Sequence, residues 1–233
     1  MYNDYNNYSG QDALQEDFSG YLTRTFRWMF MGLLLTFAVA FVGYATGMVA
    51  LVLNPVALVL FSIAELAVVI FLGARLADMA PGTATALYFV YAALNGMVFS
   101  AYFLIFDLGT LIFAFMAAAL YFGVMAVYGA VTKTDLSGLG SILRGGLIAL
   151  ILFSVLGLFF NFGMFDLLIC AGGLVLFMVL TAYDVQKIRA LYYNFAGDEY
   201  LAHKASIYAA LQLYLDFINI FLKILRLMSR NRD

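Results

Sequence analysis

Seven apolar runs, each long enough to cross a bilayer, dominate this chain. They cover approximately residues 28–49, 56–77, 83–105, 109–131, 144–163, 166–189 and 206–228. A spanning helix needs roughly 20 apolar residues at about 1.5 Å rise each. The breaks between the runs carry turn chemistry: Asn54-Pro55, Pro81-Gly82, Asp107-Leu108-Gly109, Thr132 to Ser141, and Asn161-Phe162-Gly163. A spanning β-barrel would instead show alternating segments of about 10 residues. The pattern predicts an all-α integral membrane protein with seven transmembrane helices. Gly and Ala recur inside the runs, as at Gly172-Gly173 and Ala117 to Ala119, which lets helices approach closely in lipid.

Composition removes the other classes. Of 233 residues, 65% are hydrophobic and 11% are charged, whereas a soluble domain carries about 25% charged residues. A soluble enzyme and a disordered regulator are excluded. The net charge of −2 leaves no polybasic footprint, so nucleic acid is not a partner. The single cysteine, Cys170, excludes an intramolecular disulfide, and the single histidine, His203, excludes a His-cluster metal site. Residues 1–27 are polar, with Asp4, Asp12, Glu16 and Asp17 ahead of the first base, Arg24. A secretory signal begins with bases and a short apolar core, so this segment reads as a flexible N-terminal tail. Residues 28–228 are then the seven-helix domain and 229–233 a basic C-terminal tail.

Basic residues mark the cytoplasmic side of a membrane protein. With seven crossings, the N-terminal side carries Arg24, Arg27, Arg75, Lys133, Arg144, Lys187, Arg189 and Lys204. The opposite side carries only Lys223, Arg226, Arg230 and Arg232, all near the C-terminus. The N-terminus is therefore expected in the cytoplasm. Charge counting alone would keep the seventh segment from crossing fully, whereas its length favours a full span.

An ionisable group at mid-bilayer costs on the order of 3 kcal/mol, so each one calls for an explanation. The seventh run holds Gln212, Asp216, Asn219 and Lys223 at i, i+4, i+7 and i+11, one stripe on a helix. Such a stripe faces a cavity, a partner, or simply its packing neighbours. Asp184 lies three residues after Thr181 on the sixth run, with Lys187 and Arg189 able to snorkel to the interface beside it. Glu65 sits deep in the second run and calls for a hydrogen bond or a proton. Arg75 ends that run with Asp78 at i+3, a pattern that also suits a topology anchor. Asn95, with Tyr91 at i−4, is expected to bond between helices. Asp107 and Asp166 give the outer loops a weak preference for cations.

Three stretches resemble the Bax inhibitor-1 family of membrane proteins, in its bacterial form: YLTRTFRWMFMGLLLTF from Tyr21, TAYDVQKIRALY from Thr181, and ALQLYLDFINIFLKILRLMSRNRD from Ala210. The resemblance covers the chain from about Tyr21. It implies a central C-terminal helix surrounded by two three-helix layers, in the bacterial inner membrane. It also implies a pH-sensitive calcium leak. The family's aspartate pair, its proton sensor, maps onto Asp184 and Asp216, and its second-helix arginine latch onto Arg75. Glu65 matches a second-helix acid. The pair meets only if the sixth helix starts later than Asp166 and runs past Tyr193, or if the seventh starts nearer Tyr208.

Two nearby carboxylates in low dielectric resist joint ionisation and titrate as a coupled pair. Protonation of the pair would release Arg75 and free the second helix to move. The ionised pair also offers transient oxygen ligands to Ca²⁺, the permeant ion, with Gln212, Asn219, Lys223 and Glu65 as supporting polar groups. The chain is thus expected to be a transport protein and not an enzyme, with no resident cofactor, working on the lipid bilayer, Ca²⁺ and protons. Other readings are an intramembrane aspartyl protease built on the same dyad and a non-transporting regulator that binds partner membrane proteins. A retinal protein using Lys223 lacks aromatic support, since Trp28 is the only tryptophan. A serine protease at Ser137 to Ser141 lacks a nearby base, since His203 lies in a polar segment.

Overall fold

A computed structural model describes residues 4–75, 78–157, 164–195 and 198–230, with side chains from Phe18 onward apart from those of residues 155, 164–166, 194, 195, 199 and 230. The helices are α1 (Asp4–Ala45), α2 (Val49–Leu53), α3 (Pro55–Arg75), α4 (Pro81–Phe99), α5 (Tyr102–Ile105), α6 (Leu108–Val131), α7 (Gly140–Leu156), α8 (Met164–Phe195) and α9 (Glu199–Arg230). A 3-10 turn at Ser137–Leu139 precedes α7, and no strand occurs among the described residues.

Seven stretches are long and apolar enough to span a bilayer: Phe18–Ala45, Pro55–Arg75, Pro81–Ile105, Leu108–Val131, Ser137–Ser154, Leu167–Tyr193 and Tyr200–Ser229. The expected count of seven holds. Several ends lie further out than the apolar runs suggest, because basic residues with long apolar stems extend a helix to the interface. The first span starts ten residues before residue 28, taking in Arg24 and Arg27. Helical backbone in α1 reaches back to Asp4, inside the polar N-terminal segment. The turn at Asn161-Phe162-Gly163 and residues 231–233 of the C-terminal tail lie outside the described residues, as does the side chain of Asp166.

The breaks are made by the residues that signal them. The Asn54 Oδ1 accepts the Val56 and Ala57 amides at 2.9 and 3.3 Å, just where Pro55 opens α3. Pro81 opens α4. Asp107 caps α6, accepting the Thr110 amide at 2.9 Å and the Thr110 hydroxyl at 2.6 Å. These side chains satisfy amides that a helix start leaves without partners.

The chain divides into two compact units, Met1–Ile105 with Ile188–Leu211, and Phe106–Lys187 with Gln212–Asp233. In the first unit α1 packs on α4 through small residues. A Cβ at Gly32 would collide with the Tyr88 hydroxyl, and one at Gly96 would come to 2.6 Å from the Thr36 carbonyl oxygen. That closeness lets Tyr88 donate to the Trp28 carbonyl at 3.0 Å and Thr36 donate to the Ala92 carbonyl at 2.9 Å. Aromatic contacts tie α8 and α9 to α1 within this unit: Phe18 and Tyr21 on Tyr192, and Trp28 on His203.

The second unit also relies on small residues. Gly129 of α6 lies directly on the α8 backbone at Ala182, and a Cβ at Gly146 would come to 2.9 Å from Leu176. Phe217 of α9 packs its ring on Phe115 and Phe122 of α6. Of an 18-residue apolar stretch in the α9 span 72% is buried, against 6–39% of the corresponding stretches in the other six. A helix so enclosed can hold polar groups that lipid would not tolerate.

Candidate functional site

The second unit brings together the two aspartates that the sequence singles out. Asp184 on α8 and Asp216 on α9 are electrostatic neighbours, and Thr181 faces Asp216 from one turn before Asp184. Helix geometry explains the grouping, because positions i and i+3 share a face. Thr181 is fully buried, Asp216 is 4% exposed and Asp184 is 8% exposed. The Thr181 hydroxyl also donates to the Phe177 carbonyl at 2.9 Å, fixing its rotamer. Lys187 lies close enough to Asp184 to act on it electrostatically. α8 runs past Tyr193 to Phe195 but starts at Met164, not later than residue 166, and α9 starts at Glu199, well before Tyr208, so the two aspartates interact without the expected late start of either helix.

The pair is not saturated by protein donors. The Asp216 Oδ2 is buried with no hydrogen-bond partner, and so is the Gln212 Oε1 one turn earlier on α9. A buried oxygen in that state costs about 1–3 kcal/mol, more if it is charged. A proton, a water or a cation on Asp216 relieves that cost. Among the described residues no third His, Cys, Asp or Glu joins the two carboxylates in a metal-binding cluster. Ca²⁺ takes six to eight oxygen ligands. Two carboxylates therefore suit an ion that keeps most of its water.

The other polar residues of the α9 stripe divide. Asn219 turns back to its own helix, donating to the Leu215 carbonyl at 2.8 Å. Lys223 is 9% exposed, and its aliphatic stem runs past Gly173, where a Cβ would come to 2.9 Å from its Cε. The Lys223 carbonyl accepts the Cys170 thiol at 3.4 Å.

Glu65 and Arg75 belong to the first unit. Glu65 is half-buried on α3, with Oε1 unpartnered, and acts electrostatically on Tyr91 of α4. Asn95 donates to the Tyr91 hydroxyl at 3.2 Å. That bond lies within α4 and does not cross to another helix as expected, because i and i+4 are neighbours on one helix face. Arg75 is exposed and sits 3.9 Å from Asp78, the i+3 partner read from the sequence.

One polar residue of α8, two positions after Asp184, is not singled out by the sequence. Gln186 of α8 accepts the Leu136 amide and donates to the Thr134 carbonyl, both at 2.8 Å. Its position two residues after Asp184 is the only signal the sequence offers.

The family model described as "Inhibitor of apoptosis-promoting Bax1" matches residues 19–233. The chain belongs to this Bax inhibitor-1 family. Among its relatives, the inner membrane protein YbhL of Escherichia coli is 37% identical over 215 residues, 91% of this chain and 92% of YbhL. An uncharacterized protein of Borreliella burgdorferi is 34% identical over 215 residues, covering 91% of this chain and 93% of its own. The Rickettsia prowazekii protein RP147, also uncharacterized, is 33% identical over 228 residues, 97% of this chain and 95% of its own. Family membership and the seven apolar helices together make this a multi-pass integral membrane protein.

Proposed function

We propose that the protein is a calcium leak pathway of the bacterial inner membrane, opened by protonation of the Asp184–Asp216 pair. The observation that carries this reading is that two buried carboxylates from two apolar spans act on each other electrostatically, one oxygen having no protein donor. Their mutual repulsion makes proton binding at one depend on the charge of the other. When the pair is ionised it attracts cationic groups and holds the pathway shut. When it is protonated that attraction goes, and flux rises as pH falls. Ca²⁺ is the substrate of this movement, handed past the carboxylates with its remaining water.

The family resemblance assigns the latch to Arg75. Its exposed pairing with Asp78 is of the kind worth about 0.2–1 kcal/mol, weak enough to be exchanged. The name of the Escherichia coli relative supports the inner membrane as the location. Transport of this kind needs no covalent chemistry, so the reading makes the protein a conduit and not an enzyme.

The test is Ca²⁺ entry into indicator-loaded liposomes containing the purified protein, across a pH series. Wild-type flux is expected to rise on acidification, and Asp216→Asn and Asp184→Asn each to lose that response. Flux with an unchanged pH response in both variants contradicts the gate.

A further inference from the structure

The stretch of α8 around Asp184 is held from two sides. Thr181, Asp184, Val185 and Ile188 share one face of the helix, and Ala182, Tyr183 and Gln186 lie on roughly the opposite face. All three residues of the second face contact the α6–α7 region. Gly129, near the end of α6, rests on the Ala182 backbone. Gly140, the first residue of α7, leaves space for the Tyr183 hydroxyl, which a Cβ there would approach to 2.7 Å. Between them, the Gln186 amide grips the connecting segment by both its ends, at the Leu136 N–H and the Thr134 C=O.

Three contacts at three successive levels fix both the rotation and the height of a helix. A single contact would leave it free to turn or slide. The Gln186 amide also satisfies two backbone groups in a non-helical segment, which favours keeping that segment in place. We infer that the α6–α7 connection is a clamp that holds Asp184 in register with Asp216, with Gln186 as its positioning residue. This inference rests on the proposed proton gate at that pair. Gln186 is half-buried and bonds to Leu136 and Thr134 of the connecting segment; it acts on the pair through the helix.

The charged groups around this assembly are few. On α8, Lys187 faces Asp184, and from α9 Asp216 faces it. On the connection, Asp135 is exposed and turned to Ser137, accepting its amide and its hydroxyl at 2.9 Å each. Lys133 is exposed on the same segment. On α7, the Arg144 Nε donates to the Gly140 carbonyl at 3.0 Å.

The clamp is tested by Ca²⁺ flux in liposomes for wild type, Gln186→Ala, Asp216→Asn and the double variant. The readout is the ratio of acid to neutral flux. Loosening the clamp is expected to bring the Gln186→Ala ratio down toward that of Asp216→Asn, with no further fall in the double variant. A change of similar size in both backgrounds marks a general structural effect and overturns the inference. A Gln186→Ala response equal to wild type overturns it too. If wild type itself shows no pH response, the proton gate fails first and the clamp's role falls with it. Should Gln186→Ala fail to fold, Gln186→Glu keeps the acceptor for Leu136 and loses the donor to Thr134. It must then give a smaller fall in the ratio, again absent in the Asp216→Asn background, or the inference fails.

Discussion

Gly129 and Gly123 sit six residues apart on α6 and face different surroundings. A side chain at Gly129 would run into the α8 backbone at Ala182, whereas one at Gly123 would meet nothing within 4 Å. Backbone cannot move aside as a side-chain tip can, so Gly129→Ala is expected to cost about 1–3 kcal/mol, the usual range for overpacking. Gly123→Ala is expected to be neutral or to stabilise by up to about 1 kcal/mol, through helix propensity alone. Thermal unfolding of the two variants in detergent checks the contrast, and equal melting points contradict the close α6–α8 approach. The carboxylates were more legible in the sequence than these glycines. Charge inside an apolar run is costly enough to stand out at Asp184 and Asp216. Glycine is common throughout the spans, so nothing local separates Gly129 from Gly123. Gln186 is uncharged and lies at a span end, where polar residues are ordinary.

The connection between α6 and α7 shows what a short element contributes. Asp135 accepts the Ser137 amide and hydroxyl, and both bonds hold its carboxyl below the ordinary carboxylate range, the amide most strongly. A lowered value means that this turn gains from ionisation at neutral pH and loses the gain only as pH falls through the lowered value. A gate that responds near neutral pH therefore does not draw its response from Asp135. Asp135→Asn is expected to leave the acid-to-neutral flux ratio unchanged in liposomes, while Asp184→Asn abolishes it. A shifted ratio in Asp135→Asn would move the sensor out to the connection. The spans themselves were readable from apolar run length, and their starts from Pro55, Pro81 and Asp107. Their outer ends were less so, because Arg24, Arg27 and Lys204 interrupt the apolar pattern without ending the helix. Whether the seventh segment could cross was open on charge alone; α9 is continuous over 32 residues, long enough to do so.

For the whole molecule, we propose from the seven apolar spans and the distribution of Lys and Arg an orientation with the N-terminus in the cytoplasm and, if α9 crosses, the C-terminus outside. Reporters fused at the two ends of the chain in bacterial cells are expected to read opposite sides. A cytoplasmic signal from both would mean that α9 does not cross despite its length. In the function we propose, Asp184 and Asp216 act as a single proton-binding unit that sets the pathway's state. Their electrostatic interaction, the Thr181 hydroxyl and the unpartnered Asp216 oxygen support this reading. Its most direct test is infrared difference spectroscopy of the protein in lipid, following the C=O stretch of a protonated carboxyl through a pH titration. The expected result is a band that titrates over the same pH range as Ca²⁺ flux and is lost or displaced in both Asp184→Asn and Asp216→Asn. A band that survives either substitution unchanged, or titrates outside the range of the flux, would contradict it.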